Sequence, residues 1–151
     1  MKIVISPSPL AVAIAVMSML PAGIAVAHTQ TGSLGADPIA TDYYQVTCSD
    51  DGSGEPASMI VQMTNNSAGG TQSVTALAHK GLVATSSTDT VGGGSSAGPL
   101  TWVNGAGGVY EVFVTKAAAG AVNYTLTYHC LTGANGTGLH TGTTIVFRQN
   151  Q

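Results

Sequence analysis

The sequence predicts an all-β protein: an antiparallel β-sandwich, jelly-roll-like, with about seven or eight strands and one disulfide. Three observations predict this fold. From Thr41 onward, apolar and polar residues alternate with a period of two, and clusters of Gly, Asn, Asp and Ser separate the alternating segments. Beyond residue 27, no segment keeps the apolar period of 3.6 residues that a helix needs. The two cysteines, Cys48 and Cys130, both fall in the apolar phase of their segments, which is the predicted inner face.

The N-terminal segment, residues 1–27, predicts a secretion signal. Lys2 gives it a positive start, Leu10–Leu20 is an apolar run, and Ala25–Ala27 is the small-x-small pattern that signal peptidase accepts. The apolar run is shorter than the roughly 20 residues needed to span a bilayer, although a retained N-terminal anchor is the alternative. Cleavage after Ala27 would leave His28 as the first residue. We therefore expect an exported protein, periplasmic or extracellular, with no membrane span after cleavage.

The remaining chain divides into an arm and one domain. Residues 28–40 have no apolar period and contain turn-forming residues, so they predict a flexible arm, and residues 41–151 predict the sandwich. The predicted strands are, in order, TDYYQVTC (41–48), ASMIVQM (57–63), SVTALAH (73–79), LVA (82–84), LTWV (100–103), GVYEVFVTK (108–116), NYTLTYHC (123–130) and TTIVFR (143–148). The longest predicted loop covers residues 86–99.

The alternation within the longer strands also predicts which side chains face the core. The predicted inward residues are Tyr44, Val46, Cys48, Met59, Val61, Met63, Val74, Ala76, Ala78, Tyr110, Val112, Val114, Tyr124, Leu126, Tyr128 and Cys130. An even cysteine count in an exported chain predicts that Cys48 and Cys130 form a disulfide. A pair of free thiols or a metal dithiolate is the alternative.

Low charge limits the classes of partner. Only 7% of the chain is charged and the formal net charge is −3, with Lys80, Lys116 and Arg148 as the basic residues beyond the signal. Nucleic acid and anionic membranes both require clustered Lys and Arg, so neither is expected as a partner. A surface rich in Gly, Ser and Thr favours self-association more than a charged surface does.

The strand sequences resemble the bacterial pre-peptidase C-terminal domain family. The resemblance covers residues 41–130 and includes TDYYQVTC, ASMIVQM, SVTALAHKGLVATSS and the closing hairpin, whose matching residues are Gly108, Tyr110, Val112, Val114, Gly120, Tyr124 and Leu126. It implies a β-sandwich accessory module of secreted proteins, of the kind that follows a catalytic domain and assists secretion or contacts substrate. The cysteine pair and the segment after Cys130 fall outside the family's usual pattern, and we expect no catalytic domain before the module. These departures favour a free-standing binding or structural role.

The four histidines are candidate copper ligands. A free amine and imidazole at His28, with one imidazole from His79, His129 or His140, would supply the nitrogen ligands that copper prefers. The strand phases place His79 and His129 outward, and His140 falls in a predicted loop. No pair has metal-ligand spacing, so scattered surface histidines are the alternative.

The acidic segment SDDGSGE is a candidate calcium loop. Asp50, Asp51 and Glu55 lie around two glycines, and calcium binds several carboxylate or carbonyl oxygens on a flexible loop. The same residues also favour a plain turn, because Asp and Gly adopt the backbone angles that turns require.

The sequence does not predict an enzyme. It contains no G-x-S-x-G nucleophile elbow, and carboxylates confined to one turn cannot flank a glycosidic bond. Trp102, Tyr43 and Phe113 fall on the outward phase or at a strand end and could bind a sugar or protein, although core packing is the simpler interpretation of Trp102. The expected function is a non-catalytic binding or structural module that self-associates or contacts a protein or glycan of the cell surface or matrix. A copper-binding protein that uses His28 is the alternative.

Overall fold

Nine antiparallel strands form the part of the chain that the structure describes, and the sandwich predicted from the alternation is confirmed. The structure is a computed structural model that describes residues 28–69, 72–94 and 96–151. The strands are β1 (His28–Leu34), β2 (Asp42–Ser49), β3 (Ser58–Asn65), β4 (Val74–Lys80), β5 (Val83–Asp89), β6 (Thr101–Asn104), β7 (Gly108–Lys116), β8 (Val122–Leu131) and β9 (His140–Gln149). The predicted secretion signal, residues 1–27, lies outside the described residues. Within these ranges, no helix is long and apolar enough to cross a bilayer.

The strands form two layers that share β9. One layer has the order β5-β4-β7-β2-β9, and the other contains β6, β3 and β8 with β1 on the remaining edge of β8. Strand β9 begins beside β8, where Thr141 pairs with Cys130, and then pairs with β2 from Gly142 onward. Because β9 passes from one layer to the other, it joins the two layers at its start. The layers separate from Gly142 onward, where β9 pairs with β2.

The core lies between the two layers, and the predicted phases are correct. Every residue predicted to face inward is at most 4% exposed. Burying a large apolar side chain of this kind contributes about 1.5–3 kcal/mol, so this alternation accounts for most of the driving force for packing the layers together.

The predicted disulfide is present and joins the two layers. Cys48 on β2 is bonded to Cys130 on β8, and the two cysteines are 82 residues apart in sequence. A cross-link between strands that are distant in sequence restricts the unfolded chain most strongly.

Side chains of β5 close the opposite side of the sandwich. The backbone N–H of Met63 donates to Ser87 Oγ at 3.0 Å, and that of Asn65 donates to Asp89 Oδ2 at 2.8 Å. Both acceptor residues are buried. These contacts satisfy backbone donors of β3 beyond the end of β6, where strand pairing no longer does so.

Three expectations about the chain's organisation are wrong. The predicted flexible arm, residues 28–40, is a strand over His28–Leu34, because its backbone pairs with β8 even though its side chains have no apolar alternation. Strand β5 continues to Asp89 and so takes up the first part of the predicted 86–99 loop. His140 lies at the start of β9 rather than in a loop.

Candidate functional site

An open cleft lies where the two layers separate, between β1 and β9. Its volume is about 380 Å³. The lining residues come from β1, β8, β9 and the segments that follow β3 and β9: Thr31, Gly32, Ser33, Asn66, Asn123, Tyr124, Phe147 and Asn150. None of these eight described residues has a carboxylate, amine, guanidinium or imidazole, so the cleft carries no formal charge at neutral pH.

Phe147 forms the apolar part of the cleft. It lies opposite Tyr44 in the pairing of β2 with β9, and the two rings stack with centroids 4.7 Å apart and planes inclined by 18°. Tyr44 is 1% exposed whereas Phe147 is 45% exposed. A buried ring therefore holds Phe147 from one side, and the aromatic surface that remains exposed lines the cleft.

Below the cleft, two tyrosines and a carboxylate form a buried network. The Tyr124 hydroxyl donates to Asp42 Oδ2 and lies 2.6 Å from the Tyr44 hydroxyl. Burial, reinforced by the Asp42 carboxylate, raises the pKa of Tyr124, which keeps this phenol protonated as a donor. A β-carbon at Gly32 would overlap the Tyr124 ring, so only glycine allows β1 to cross here.

Amides and hydroxyls form the rim of the cleft. Asn123 and Asn150 are exposed on it, as are Thr31 and Ser33. The side chain of Asn66 is held in place, because its Nδ2 donates to Thr125 Oγ1 at 2.8 Å. Side-chain amides both donate and accept hydrogen bonds, so this rim suits a ligand that does the same.

Two of the four candidate copper ligands, His129 and His140, meet at a second place, which we call the histidine junction. Strand β1 begins with His28 opposite Tyr128, and β9 pairs with the same edge of β8 at Cys130 and Leu131. His129 therefore lies between the two pairings. The rings of His129 and His140 stack with centroids 4.1 Å apart.

His129 is unusual for an outward-facing residue because it is only 9% exposed. Its Nδ1 atom is buried and has no hydrogen-bond partner among the described residues. Burial lowers the pKa of His129 to about 4, with further lowering from His140 and His28, so the imidazole is neutral at pH 7. The outward phase predicted for His129 is correct, but this histidine is buried and is not one of the surface histidines of the alternative interpretation.

The fourth histidine, His79, lies apart from the junction on the outer face of the other layer. Its Nε2 lies 2.9 Å from Glu111 Oε2, and its ring is parallel to that of Phe113 at 6.0 Å. The Tyr43 ring stacks on Phe113 at 4.8 Å, and its hydroxyl donates to Glu111 Oε1. The Phe113 ring is therefore stacked face to face with the rings of Tyr43 and His79.

The acidic segment forms the turn between β2 and β3. Asp50 Oδ1 accepts from the N–H groups of Gly52 and Gly54, and Asp51 Oδ1 accepts from the N–H of Ser53. A hydrogen bond from the Ser53 side chain, together with the one from the Ser53 N–H, lowers the pKa of Asp51. Glu55 follows on the exposed surface. Across the described ranges, no three His, Cys, Asp or Glu side chains are grouped closely enough to hold a metal ion.

Trp102 does not pack in the core, so the simpler interpretation of this residue is wrong. It lies on the short edge strand β6, is 45% exposed, and approaches the backbone of Gly136 on the outer surface. A β-carbon built at Gly136 would lie 3.5 Å from the Trp102 ring.

Sequence reasoning missed the cleft residues Phe147, Asn66, Asn123 and Asn150. In TTIVFR, an aromatic among apolar residues is indistinguishable from a core residue, and single asparagines at strand ends are typical of turns. Only the approach of β1 to β9 brings them together, and no local pattern encodes it.

No family model, curated protein or solved structure matches this chain. The resemblance to the pre-peptidase C-terminal family therefore stays a prediction.

Proposed function

We propose that the protein is an exported, non-catalytic binding module that holds a neutral glycan of the cell surface or matrix in the Phe147 cleft. One observation carries the proposal: a half-exposed aromatic ring, supported from behind by Tyr44, lies in an uncharged cleft with an amide rim. Sugars present an apolar C–H face and a ring of hydroxyls, and these two features match the ring and the amides respectively.

The absence of charge in the cleft favours this ligand class over others. Anionic ligands need Lys, Arg or N–H clusters, and cationic ligands need carboxylates, whereas the eight described lining residues supply neither type of side chain. They also supply no carboxylate, imidazole or thiol to act as a general acid, general base or nucleophile. Binding is therefore a better match to this chemistry than catalysis.

Export is supported by two features that are independent of the cleft. Residues 1–27 have the pattern of a cleaved signal, and the Cys48–Cys130 disulfide is of a kind that persists in oxidising compartments.

The test is affinity electrophoresis of the exported protein in gels that contain single polysaccharides. The panel contains neutral glucans, mannan and soluble chitin derivatives, with alginate and hyaluronan as acidic comparisons. We expect at least one neutral polysaccharide to slow the protein, and we expect Phe147→Ala and Asn150→Ala to abolish the retardation.

Trp102→Ala is the matched control, because Trp102 has the same 45% exposure as Phe147 but lies outside the cleft. Retardation only by acidic polysaccharides, or equal retardation of wild type and Phe147→Ala, would overturn the proposal. Size-exclusion chromatography of the same samples measures self-association, which would otherwise alter mobility.

A further inference from the structure

Strand β5 leaves one edge of the β5-β4-β7-β2-β9 layer open. It pairs with β4 in an unbroken register, from Val83 opposite Lys80 to Asp89 opposite Val74, and within the described ranges no strand pairs with its other edge. Open edges present unpaired N–H and C=O groups, which proteins normally block with Lys, Pro or a β-bulge. Residues 83–88, VATSST, contain neither a charged residue nor a proline. The edge of β5 is therefore available for pairing with another strand.

The turn before β5 shows which of its backbone groups point to the open edge. Gly81 and Leu82 form a two-residue turn between Lys80 and Val83, which are register partners. Residues that flank such a turn direct their N–H and C=O groups at each other. Because backbone direction alternates along a strand, every second residue after Val83 also faces β4. The residues between them, which face the open edge, are Ala84, Ser86 and Thr88.

The other edge of β4 supports this assignment. The Ala117 N–H donates to the Ser73 carbonyl oxygen at 3.1 Å, immediately before the β4–β7 register begins at Val74. By the same alternation, every second residue from Ser73 faces β7, as far as His79. Lys80 therefore faces β5, in agreement with the turn.

The open part of the edge is short and is centred on Thr85. Gly98 packs against the Thr88 carbonyl, since a β-carbon built at Gly98 would lie 2.5 Å from that oxygen. Ala84 and Ser86, by contrast, are exposed. The two residues whose outward backbone groups remain uncovered thus lie on either side of Thr85.

Exposed apolar side chains lie along the same edge. A groove of about 390 Å³ separates β5 from β6 and is lined by Thr85, Leu100, Thr101 and Trp102. Leu100 and Trp102 are about half exposed, as is Val83, and Leu82 at the turn is fully exposed. Apolar surface gathered at one place marks a contact site more often than single exposed residues do. The groove also provides space for a further strand beside β5.

The open groups suit a second copy of the same strand. With two β5 strands antiparallel and Thr85 opposite Thr85, Ala84 of each copy lies opposite Ser86 of the other. Both are then hydrogen-bonded pairs, so every open N–H and C=O group of these residues gains a partner. A two-fold contact brings identical residues together, and the absence of charge in residues 82–88 removes the repulsion that a charged edge would cause.

We propose that the mature protein forms a two-fold symmetric dimer in which β5 pairs with β5 of a second copy, so that one sheet continues through both copies. This inference does not rest on glycan binding. The Phe147 cleft lies beside β9, at the opposite end of the layer from β5, so the dimer leaves the cleft open.

The first experiment measures the mass of the exported protein by sedimentation velocity over a series of concentrations. We expect a dimer for the wild type and a monomer for Ser86→Pro, which removes an N–H that faces the open edge and none that faces β4. Ser86→Lys keeps the backbone and places two like charges at the contact, and it should also be monomeric.

Thr144→Lys is the matched control, because Thr144 is an exposed residue of β9 at the other end of the layer. It should remain a dimer. Near-ultraviolet circular dichroism checks that each variant is folded.

The second experiment tests the register by mild oxidation and non-reducing electrophoresis. In the proposed dimer the two Thr85 residues form a non-hydrogen-bonded pair with Cα atoms about 4.5 Å apart, which is within the range of about 4.4–6.8 Å that a disulfide spans. Thr85→Cys should therefore give a covalent dimer. Ser86→Cys should not, although Ser86 is the more exposed residue, because it lies opposite Ala84.

Three results would overturn the inference. A wild type that stays monomeric throughout the concentration series has no such interface. A dimer that persists in folded Ser86→Lys and Ser86→Pro is formed by another surface. Covalent dimerisation of Ser86→Cys as readily as Thr85→Cys contradicts the register. Phe147→Ala should remain a dimer, so failure of the glycan proposal and failure of the dimer are distinguished.

Discussion

The ring of Phe147 stacks on the buried ring of Tyr44, with centroids 4.7 Å apart. The two residues are partners on adjacent strands and occupy the same face, but only Tyr44 is covered by the opposite layer. The preceding inward residue of β9, Ile145, still packs against the core. The exposure of Phe147 thus begins where the second layer ends, and a residue that is apolar in pattern becomes available to a ligand.

Phe147→Ala should reduce stability only modestly. A buried Phe→Ala change costs about 3–5 kcal/mol, and because Phe147 is 45% exposed we expect about half of that. Urea unfolding monitored by circular dichroism measures the change. A loss as large as that for a fully buried ring would mean that Phe147 serves the core, and would weaken its assignment as a ligand platform.

Gly32→Ala should destabilise the protein by about 1–3 kcal/mol, because the new β-carbon would overlap the Tyr124 ring and force the strand or ring to shift. Gly35→Ala is the matched control, since a β-carbon there makes only an ordinary contact with Gln151 at 3.5 Å. Equal urea midpoints for the two variants would contradict the close approach of β1 to Tyr124.

Tyr124→Phe should cost about 1–3 kcal/mol in the free energy of unfolding, because it removes a donor from the fully buried Asp42 carboxylate. Asp42 would keep its bond from the backbone N–H of Gln151. Tyr128→Phe removes a phenol from the same strand that does not bond Asp42 and should cost less. Equal stability of Tyr124→Phe and Tyr128→Phe would mean that the Tyr124–Asp42 hydrogen bond contributes nothing to the free energy of unfolding.

The core could be predicted from the sequence because burial follows alternation along each strand. Tyr124, Leu126, Tyr128 and Cys130 need no knowledge of their neighbours to be assigned inward. Strand β1 could not be predicted, since HTQTGSL has no apolar alternation and is a strand only because β8 supplies its hydrogen bonds.

Both candidate sites depend on pairing between distant strands, which local pattern does not encode. The histidines were recognised individually, but nothing in the sequence shows that residues 129 and 140 meet. Their contact requires β9 to begin beside the end of β8. The register between strands is set by the packing of whole layers rather than by the residues at the site.

Removal of the disulfide by Cys48→Ala with Cys130→Ala should lower the free energy of unfolding by about 4.5 kcal/mol in the chain-entropy model. A domain of this size has about 5–15 kcal/mol in total, so the variant should be close to unfolding at 37 °C. Thermal unfolding of the wild type with and without a reductant provides the comparison. An unchanged midpoint in the double variant would contradict the restriction of the unfolded chain by this bond.

The raised pKa values of the tyrosines predict how the stability of the protein changes at high pH. Burial raises the pKa of Tyr44, Tyr110, Tyr124 and Tyr128 above 10, and the Glu111 carboxylate raises that of Tyr43. Unfolded phenols ionise near pH 10, so the unfolded chain loses protons there while the folded chain keeps them. The contribution of these phenols to the free energy of unfolding is complete below pH 10 and is lost as the pH rises above 10.

Phenolate absorbance near 295 nm should therefore stay low at pH 10 in the folded protein, then rise in one cooperative step as circular dichroism reports unfolding. Tyr43, which is partly exposed, should ionise first among the five. A gradual rise centred on pH 10 for all five phenols, with the fold retained, would contradict the burial of the four core tyrosines.

Tyr124→Phe should lose less free energy of unfolding between pH 7 and alkali than the wild type does. The variant lacks the phenol with the most strongly raised pKa, so ionisation of that phenol no longer favours the unfolded state at high pH.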